Sequence, residues 1–244
     1  MNTTATAAGA TPAPKNLPAR FIGIIVSPKD TFASLVPAPK WFGMMALTAV
    51  IVAFFTALPL MSEGGRQAAL DQQVQQMQSL GFNVSDQMYD AMEKGKARMP
   101  YTAGIGVLVM TPIMAVVIAG ILFAIFNAAM GGEASFKQVL SVLAHAGAIS
   151  SLSSVLSGTV NYLRGSAMTS VANVGALLPM LPEKSFIAHL LGAVDVFLIW
   201  YLLVLAIGLA VLYKRRTQPI AISLLSVYAV IALGIALFKS RGGA

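Results

Sequence analysis

Long apolar runs separated by polar connections form the dominant pattern of this chain. Each run holds about twenty residues or more, enough for an α-helix to cross the hydrocarbon core of a bilayer. The runs extend from Trp41 to about Met61, Tyr101 to Met130, Phe136 to Tyr162, Phe186 to Tyr213 and Pro219 to Phe238. The pattern predicts an all-α, polytopic membrane helical bundle with five transmembrane helices over residues 41–238.

The segments outside the apolar runs have different characters. Residues 1–16 are small and polar and include prolines, which predicts a disordered N-terminal tail. In residues 17–40, Leu17, Phe21 and Ile24 recur near helical spacing with basic residues around them, which predicts an interfacial amphipathic segment. Residues 239–244 form a short tail.

Two connections are long enough to hold structure of their own. Residues 62–100 contain most of the acidic side chains and predict an extramembrane helical loop, with Ser85 capping its second helix. The other, residues 163–185, contains an apolar stretch from Val171 to Leu181 that is too short to span. This stretch is predicted to lie in the membrane interface or to dip into the bilayer.

Local signals also mark features within the spans. Ser135 followed by Gln138 three residues later is the pattern of a capping box at the start of the third span. Pro112 lies inside the second span and predicts a kink there.

The composition agrees with a membrane protein, because 57% of the residues are hydrophobic and only 10% are charged. The chain has no cysteine, which excludes disulfides and cysteine-based metal sites. The net charge of +7 is spread beside the apolar spans, so it favours contact with anionic lipids over nucleic acid.

Orientation follows from the basic residues of the shortest loop. With the N-terminus inside, eight Lys and Arg residues lie on each side of the membrane. The tightest basic cluster, Lys214-Arg215-Arg216, lies in the shortest loop, where the positive-inside rule counts most. This favours a cytoplasmic N-terminus and an outside C-terminus, and it makes these three residues candidate contacts for lipid head groups.

Polar groups within the spans are candidate functional residues, because burying them in lipid is costly. Asp195 lies about nine residues into the predicted fourth span and could serve as a proton or cation site. The favoured interpretation is a structural acid, with Tyr162 or Arg164 as its partner. His145 in the third span could relay protons or bond a neighbouring helix, and Asn127 matches His145 in depth.

Small polar residues on the third span offer a second candidate site. Ser150, Ser154 and Gly158 share one helix face at four-residue spacing. Such faces allow close helix packing and weak interhelical hydrogen bonds. A polar permeation path is the alternative interpretation of Ser150 and Ser154.

The motifs of common enzyme classes do not occur. The sequence has no phosphate-binding loop, no dinucleotide-binding glycine motif, no zinc-protease motif and no nucleophile elbow. Asp195 is the only acid within the spans, so paired carboxylates cannot hold a metal there. We expect no enzymatic activity and no cofactor, and an intramembrane enzyme using serines near His145 is the least favoured class.

Short motifs in a fixed order resemble the Yip (Ypt/Rab-interacting) domain family of multi-span membrane proteins, in its bacterial branch. The motifs are SPKDTF at 27–32, PKW at 39–41, GGEASFKQ at 131–138 and DVFLIW at 195–200, with Gly208 further on. The resemblance covers about residues 21–238. It implies a helical bundle with a cytoplasmic N-terminus, here in a bacterial cytoplasmic (inner) membrane. Eukaryotic members resemble trafficking factors that bind prenylated small GTPases, but their cytoplasmic signature is absent here.

Two functions remain open from the sequence. The first is a non-enzymatic scaffold, assembly factor or membrane organiser that contacts membrane lipids and a membrane-protein partner or a second copy of itself. Residues 17–27 and 62–100 are its expected contact elements. The second is a small ion or solute transporter or channel, with Asp195, His145 and Asn127 along a polar path.

Overall fold

The computed structural model describes residues 16–166, 170–177 and 186–241, apart from the side chains of Lys239 and Arg241. Nearly all of these residues are helical, and the described part of the chain contains no strand. The α-helices are α1 (Leu17–Val26), α2 (Pro28–Leu35), α3 (Phe42–Ala57), α4 (Glu63–Ser79), α5 (Asp86–Gly95), α6 (Met99–Phe123), α7 (Phe136–Arg164), α8 (Phe186–Gly192), α9 (Val196–Leu212) and α10 (Thr217–Arg241).

The length of the apolar helices confirms the predicted membrane helical bundle. Four helical stretches of the described residues are long and apolar enough to cross a bilayer: Phe42–Met61, Asp86–Ala129, Phe136–Arg164 and Thr217–Phe238. A shorter apolar helix, α9, has 17 residues and is therefore about 25 Å long.

The predicted fourth span differs from the structure, because residues Phe186 to Tyr213 do not form one helix. The chain leaves the helical conformation after Gly192 and resumes it at Val196. Asp195 has extended backbone angles, and its side chain accepts a hydrogen bond from the Leu198 amide at 3.0 Å. An acid that caps a helix in this way starts the helix and does not lie within it.

The predicted loop over 62–100 is helical but is not separate from the second span. Ser85 caps α5 by accepting a hydrogen bond from the Met88 amide, as predicted. A single 3₁₀ turn, Lys96–Arg98, then joins α5 directly to α6. The second span is therefore the last part of a helical run from Asp86 to Ala129, and α6 continues through Pro112.

Helix α7 forms the centre of the bundle and packs against α3, α6 and α9. In the most apolar window of α7, 61% of residues are buried, against 11% and 22% in the corresponding windows of the Asp86–Ala129 and Thr217–Phe238 stretches. Helices α3 and α7 approach each other closely, because a Cβ atom placed on Gly158 would lie 2.2 Å from the Phe55 carbonyl oxygen. Most of the surface of α6 and α10 is therefore left uncovered by the rest of the described bundle, as expected for helices that face lipid.

The N-terminal segment folds as a helical hairpin, α1–α2, that packs on α7 and α9. Ile24 of α1 and Phe32 of α2 are both fully buried. Asn16 caps α1 by accepting a hydrogen bond from the Ala19 amide at 3.0 Å, so it belongs to the fold and not to a disordered tail. Residues 1–15 of the predicted tail lie outside the described residues.

One end of the bundle, here called the near end, gathers the N-terminal hairpin and two tight connections. Gln138 in the first turn of α7 donates a hydrogen bond to the Val36 carbonyl at 2.9 Å. Arg215 in the α9–α10 turn donates to the Met130 carbonyl at 2.8 Å. The loop before α7 and the turn before α10 therefore lie on the same side as α2.

The opposite end, here called the far end, carries α4, α5 and the residues between α7 and α9. A Cβ atom on Gly64 would lie 3.1 Å from the Gly165 carbonyl oxygen, and the Val174 amide donates to the Val194 carbonyl at 2.8 Å. The described part of the predicted interfacial stretch forms a 3₁₀ turn, Val174–Leu177, and residues 178–181 lie outside the description. Helix α10 extends to Arg241, past the predicted end of the fifth span.

Candidate functional site

His145 lies at the contact between α7 and the N-terminal hairpin and is completely buried. Its Nδ1 is 2.7 Å from the Ser141 carbonyl oxygen, which can only accept, so Nδ1 carries the hydrogen and donates. Its Nε2 is 3.4 Å from Nη1 of Arg20, and a guanidinium can only donate. His145 is therefore a neutral imidazole that accepts from Arg20.

Arg20 is the functional candidate that sequence reasoning missed. Only 9% of its surface is exposed, and its Nη1 also donates to the Lys40 carbonyl at 3.2 Å. The helical spacing of the sequence indicates this burial, because Arg20 lies four residues before Ile24, which is buried, and therefore shares its helix face. The Arg20–His145 contact fixes α1 to the centre of the bundle.

Asn127 lies near the near end, in a π-helical turn that follows α6, Ala124–Ala129. Its Nδ2 donates to the Ala134 carbonyl at 2.7 Å, and its Oδ1 accepts from the Tyr213 hydroxyl at 2.7 Å. Both ends of the amide are therefore used to join the α6–α7 loop to the end of α9. Asn127 does not contact His145 through any of these bonds.

The ring of Tyr213 strengthens the same junction. It stacks on Phe126 with ring centroids 4.8 Å apart. A Cβ atom on Gly132 would lie 2.5 Å from the Tyr213 ring, so a glycine is needed where the loop passes the ring. The Gly131-Gly132 turn thus allows the loop to close over α9.

Asp195 lies at the far end, in a network around the break between α8 and α9. Its Oδ1 accepts from the Leu198 amide, and its Oδ2 accepts from the Ser170 hydroxyl. The Tyr228 hydroxyl of α10 accepts from the Asp195 amide at 2.9 Å and donates to the Ala193 carbonyl at 2.6 Å. Ser170 and Tyr228 are the partners here, in place of the predicted Tyr162 or Arg164.

The three predicted polar residues therefore belong to three separate networks. Asp195 is bonded at the far end, Asn127 at the near end, and His145 to the N-terminal hairpin. In the described part of the chain, their hydrogen bonds share no partner. Each network bonds helices or loops that are distant in sequence, which is the chemistry of a structural junction.

Ser150 and Ser154 do not form one site. Ser154 donates to the Ser150 carbonyl at 3.1 Å, so its hydroxyl is used within α7. Ser154 lines an open cleft of about 260 Å³ between α3 and α7, together with Ser153 and Ser157. Ser150 lines a different and mainly apolar groove of about 380 Å³ that faces α6, with Met110 among its walls.

The basic cluster of the α9–α10 turn is exposed at the near end. Lys214, Arg215 and Arg216 line an open groove of about 720 Å³, and Lys29 from α2 contributes to the same wall. Sequence spacing could not place Lys29 beside this cluster, because the two lie on distant segments.

At the far end, α4 and α5 form a projecting pair of helices, residues 63–98, here called the far-end hairpin. Glu63 bonds Arg66 at 2.6 Å and Lys96 at 2.7 Å, which fixes the base of the hairpin. The hydrogen bond from Lys96, followed by that from Arg66, lowers the pKa of the Glu63 carboxyl to about 2. Sequence reasoning placed acidic residues here but did not single out Glu63.

The far-end hairpin also exposes apolar side chains. Leu80, Phe82 and Met88 have 54%, 61% and 40% of their surface exposed. Helix α5 has no buried residue, although its apolar side chains lie on one face. These exposed apolar side chains are candidates for contact with another molecule.

The described residues contain no group of three or more His, Asp or Glu side chains that could hold a metal ion. Their fold and polar junctions define a polytopic helical membrane protein whose intramembrane polar side chains bond one helix to another.

Comparison with known proteins identifies the family within this class. The Yip1 domain matches residues 22–238, and the chain belongs to the Yip1 family. It is similar to the membrane protein YknW of Bacillus subtilis (strain 168), with 24% identity over 235 residues that cover 92% of this chain and 93% of YknW. No solved structure gives a significant match. The resemblance seen in the sequence is thus confirmed, and neither match indicates a catalytic activity.

Proposed function

We propose that this protein is a non-enzymatic scaffold, assembly factor or membrane organiser that binds a partner membrane protein through the far-end hairpin. The observation that carries this proposal is the exposed apolar surface of Leu80, Phe82 and Met88 on a projecting pair of helices. A membrane bundle gains nothing for its own stability by exposing these side chains to water, whereas burying them against a partner removes apolar surface from water.

The hairpin is held in a defined orientation, which favours recognition over random contact. Glu63 at the start of α4 bonds Lys96 in the turn that follows α5, and Lys96 also donates to the Gln67 side chain of α4 at 3.0 Å. Gln67 in turn donates to the Tyr89 hydroxyl at 3.3 Å. A surface that is ordered before binding loses less conformational entropy when a partner docks.

The polar residues support a structural role more than a transport path. Asp195, His145 and Asn127 each bond a different junction, and the hydrogen bonds of the described residues do not link the three to one another. A transport path would have to use the cleft between α3 and α7, which Ser154 lines together with Ser170, the partner of Asp195. Burying each polar group without its partner is costly, and these bonds offset that cost within the bundle. Residues 17–27 also contribute to packing through Arg20 and Ile24, which leaves the far-end hairpin as the main contact element.

We place the protein in a bacterial cytoplasmic membrane with its near end in the cytoplasm and its C-terminus outside. The support is the basic cluster of the shortest loop, Lys214 to Arg216, together with the positive-inside rule. On this orientation α9 crosses the membrane as the fourth of five spans, and the far-end hairpin faces outward. Membrane lipids, a membrane-protein partner and a second copy of the chain are the proposed contacts, and nucleic acid is not.

Site-specific photo-cross-linking in native membranes tests this proposal. A photoreactive phenylalanine analogue is introduced at Phe82 or Met88, and at Gln72 as an exposed control on α4. We expect a discrete protein adduct from Phe82 and Met88 and none from Gln72. Equal adducts at all three positions, or none at any of them, would overturn the assignment of this surface. Co-expression of two differently tagged copies then decides whether the adduct is a homodimer.

A further inference from the structure

The groove at the near end brings together basic residues from two distant segments. It lies between the start of α2 and the α9–α10 turn, and its walls include Lys29, Lys214, Arg215 and Arg216. The apolar helix α9 ends at Leu212 and the apolar stretch of α10 begins at Thr217. Because both helices reach the end of their apolar length here, the groove lies at the level of the lipid head groups.

The charge of the groove is not balanced by the protein. Four cationic side chains face one acid, Asp30. The salt bridges in the described part of the chain, which join Glu63 to Arg66 and to Lys96, lie at the opposite end of the bundle and do not neutralise the groove. Arg215 is held in place by its bond to the Met130 carbonyl. The groove therefore presents an excess of positive charge, with Asp30 as the one acid among its lining residues.

The backbone at Lys214 shows that a lysine occupies a position that favours glycine. Lys214 has a φ of 51°, in the left-handed region. Its amide donates to the Val211 carbonyl and the Arg215 amide donates to the Ala210 carbonyl, which together form the Schellman motif that ends α9. Glycine is the usual residue at this position because a Cβ atom is strained there. A lysine is uncommon at such a position, which makes its side chain a candidate for a role outside the turn.

We propose that this groove binds the head group of an anionic phospholipid that carries two phosphates, such as diphosphatidylglycerol. Two phosphates match the excess of basic over acidic side chains better than one does. Lys29, Lys214 and Arg216 contact the phosphates, and Arg215 anchors the turn that presents them. This inference deepens the lipid-contact part of the proposed function and is independent of the far-end hairpin.

The test measures lipid binding and stability on the same purified full-length protein. Native mass spectrometry titrates diphosphatidylglycerol against the native chain, Lys29→Gln, Lys214→Gly and a control, Lys137→Gln. Lys137 is an exposed cation at the near end, in the first turn of α7 but outside the groove. Losing one basic contact weakens lipid binding about five-fold, so this loss is expected for Lys29→Gln and Lys214→Gly, with little change for the control.

Lys214→Gly separates binding from folding. Because glycine relieves the left-handed strain, its Tm is expected to equal or exceed that of the native chain while its lipid affinity falls. Unchanged affinity in Lys214→Gly, or an equal loss in Lys137→Gln, would overturn the site. Equal binding of the single-phosphate lipid phosphatidylglycerol would overturn the two-phosphate assignment, and full competition by inorganic phosphate at the same concentration would assign a free-phosphate site instead. The photo-cross-linking result at Phe82 is unaffected by any of these outcomes.

Discussion

Adding one methyl group at Gly158 tests the close contact between α3 and α7. In Gly158→Ala the new Cβ atom would lie 2.2 Å from the Phe55 carbonyl oxygen and 2.9 Å from the carbonyl carbon. These are backbone atoms of α3, so no side-chain rotation relieves the overlap. The two helices must move apart by about 1 Å to restore van der Waals contact.

The size of the effect follows from two opposing terms. Overpacking at a rigid contact costs about 1–3 kcal/mol, and the backbone position of Phe55 favours the upper part of this range. Alanine favours the helix over glycine by about 1 kcal/mol. We therefore expect Gly158→Ala to lower the free energy of unfolding by about 2 kcal/mol.

Gly147 provides a matched control on the same helix and the same side. A Cβ atom there would lie 3.6 Å from the Thr48 hydroxyl oxygen, an ordinary contact distance. Gly147→Ala should therefore be neutral or stabilise the bundle by up to about 1 kcal/mol. Reversible unfolding in mixed micelles, followed by the fluorescence of the two tryptophans, measures both variants. Gly158→Ala being as stable as Gly147→Ala would refute the close α3–α7 contact.

Three further predictions use the same purified protein. Tyr213→Phe removes the hydrogen bond to Asn127 but keeps the ring, so it should lower the free energy of unfolding by about 1 kcal/mol, and Asn127→Ala should lower it by more. Equal stability of the native chain and both variants would contradict the junction. Asp195→Asn keeps a side chain that can cap the helix, whereas Asp195→Ala does not. Only the alanine variant should therefore lose about 1 kcal/mol in free energy of unfolding, and equal losses in both variants would contradict the capping role. The folded-state pKa of Glu63 is depressed to about 2, so the contribution of its ion pairs is complete above its ordinary pKa of 4.5 and is lost as the pH falls toward 2. The protection of far-end hairpin amides from hydrogen exchange, measured relative to the intrinsic exchange rate at each pH, should fall over that window. Glu63→Gln should abolish this pH dependence, and an unchanged pH profile in the variant would refute the role of Glu63.

The fold was predictable where a signal is both long and local. Runs of about twenty apolar residues predict spans without any knowledge of their neighbours, because hydrocarbon thickness sets their length. The capping box of Ser135 and Gln138 is likewise confirmed, since both of its hydrogen bonds lie within three residues. The prediction of a single helix for the fourth run is wrong, because one acid, Asp195, interrupts an otherwise apolar sequence.

Partners of the polar residues could not be predicted, since they come from distant segments. Arg20 meets His145 from 125 residues away, and Tyr213 meets Asn127 from 86 residues away. Helical periodicity indicates which face of a helix is apolar, but it carries no information about which other helix covers that face. For the same reason, the similar depth of His145 and Asn127 in the membrane, which the sequence predicts, does not indicate a contact between them.

We propose that Asp195, His145 and Asn127 join helices and do not conduct ions or solutes. Proton and ion flux in proteoliposomes is compared between the native chain and Asp195→Asn. Correctly inserted native protein is expected to give no flux above empty vesicles, and the variant is expected to behave identically. Flux in the native protein that is lost in Asp195→Asn would show that this proposal is wrong and would put Asp195 on a transport path.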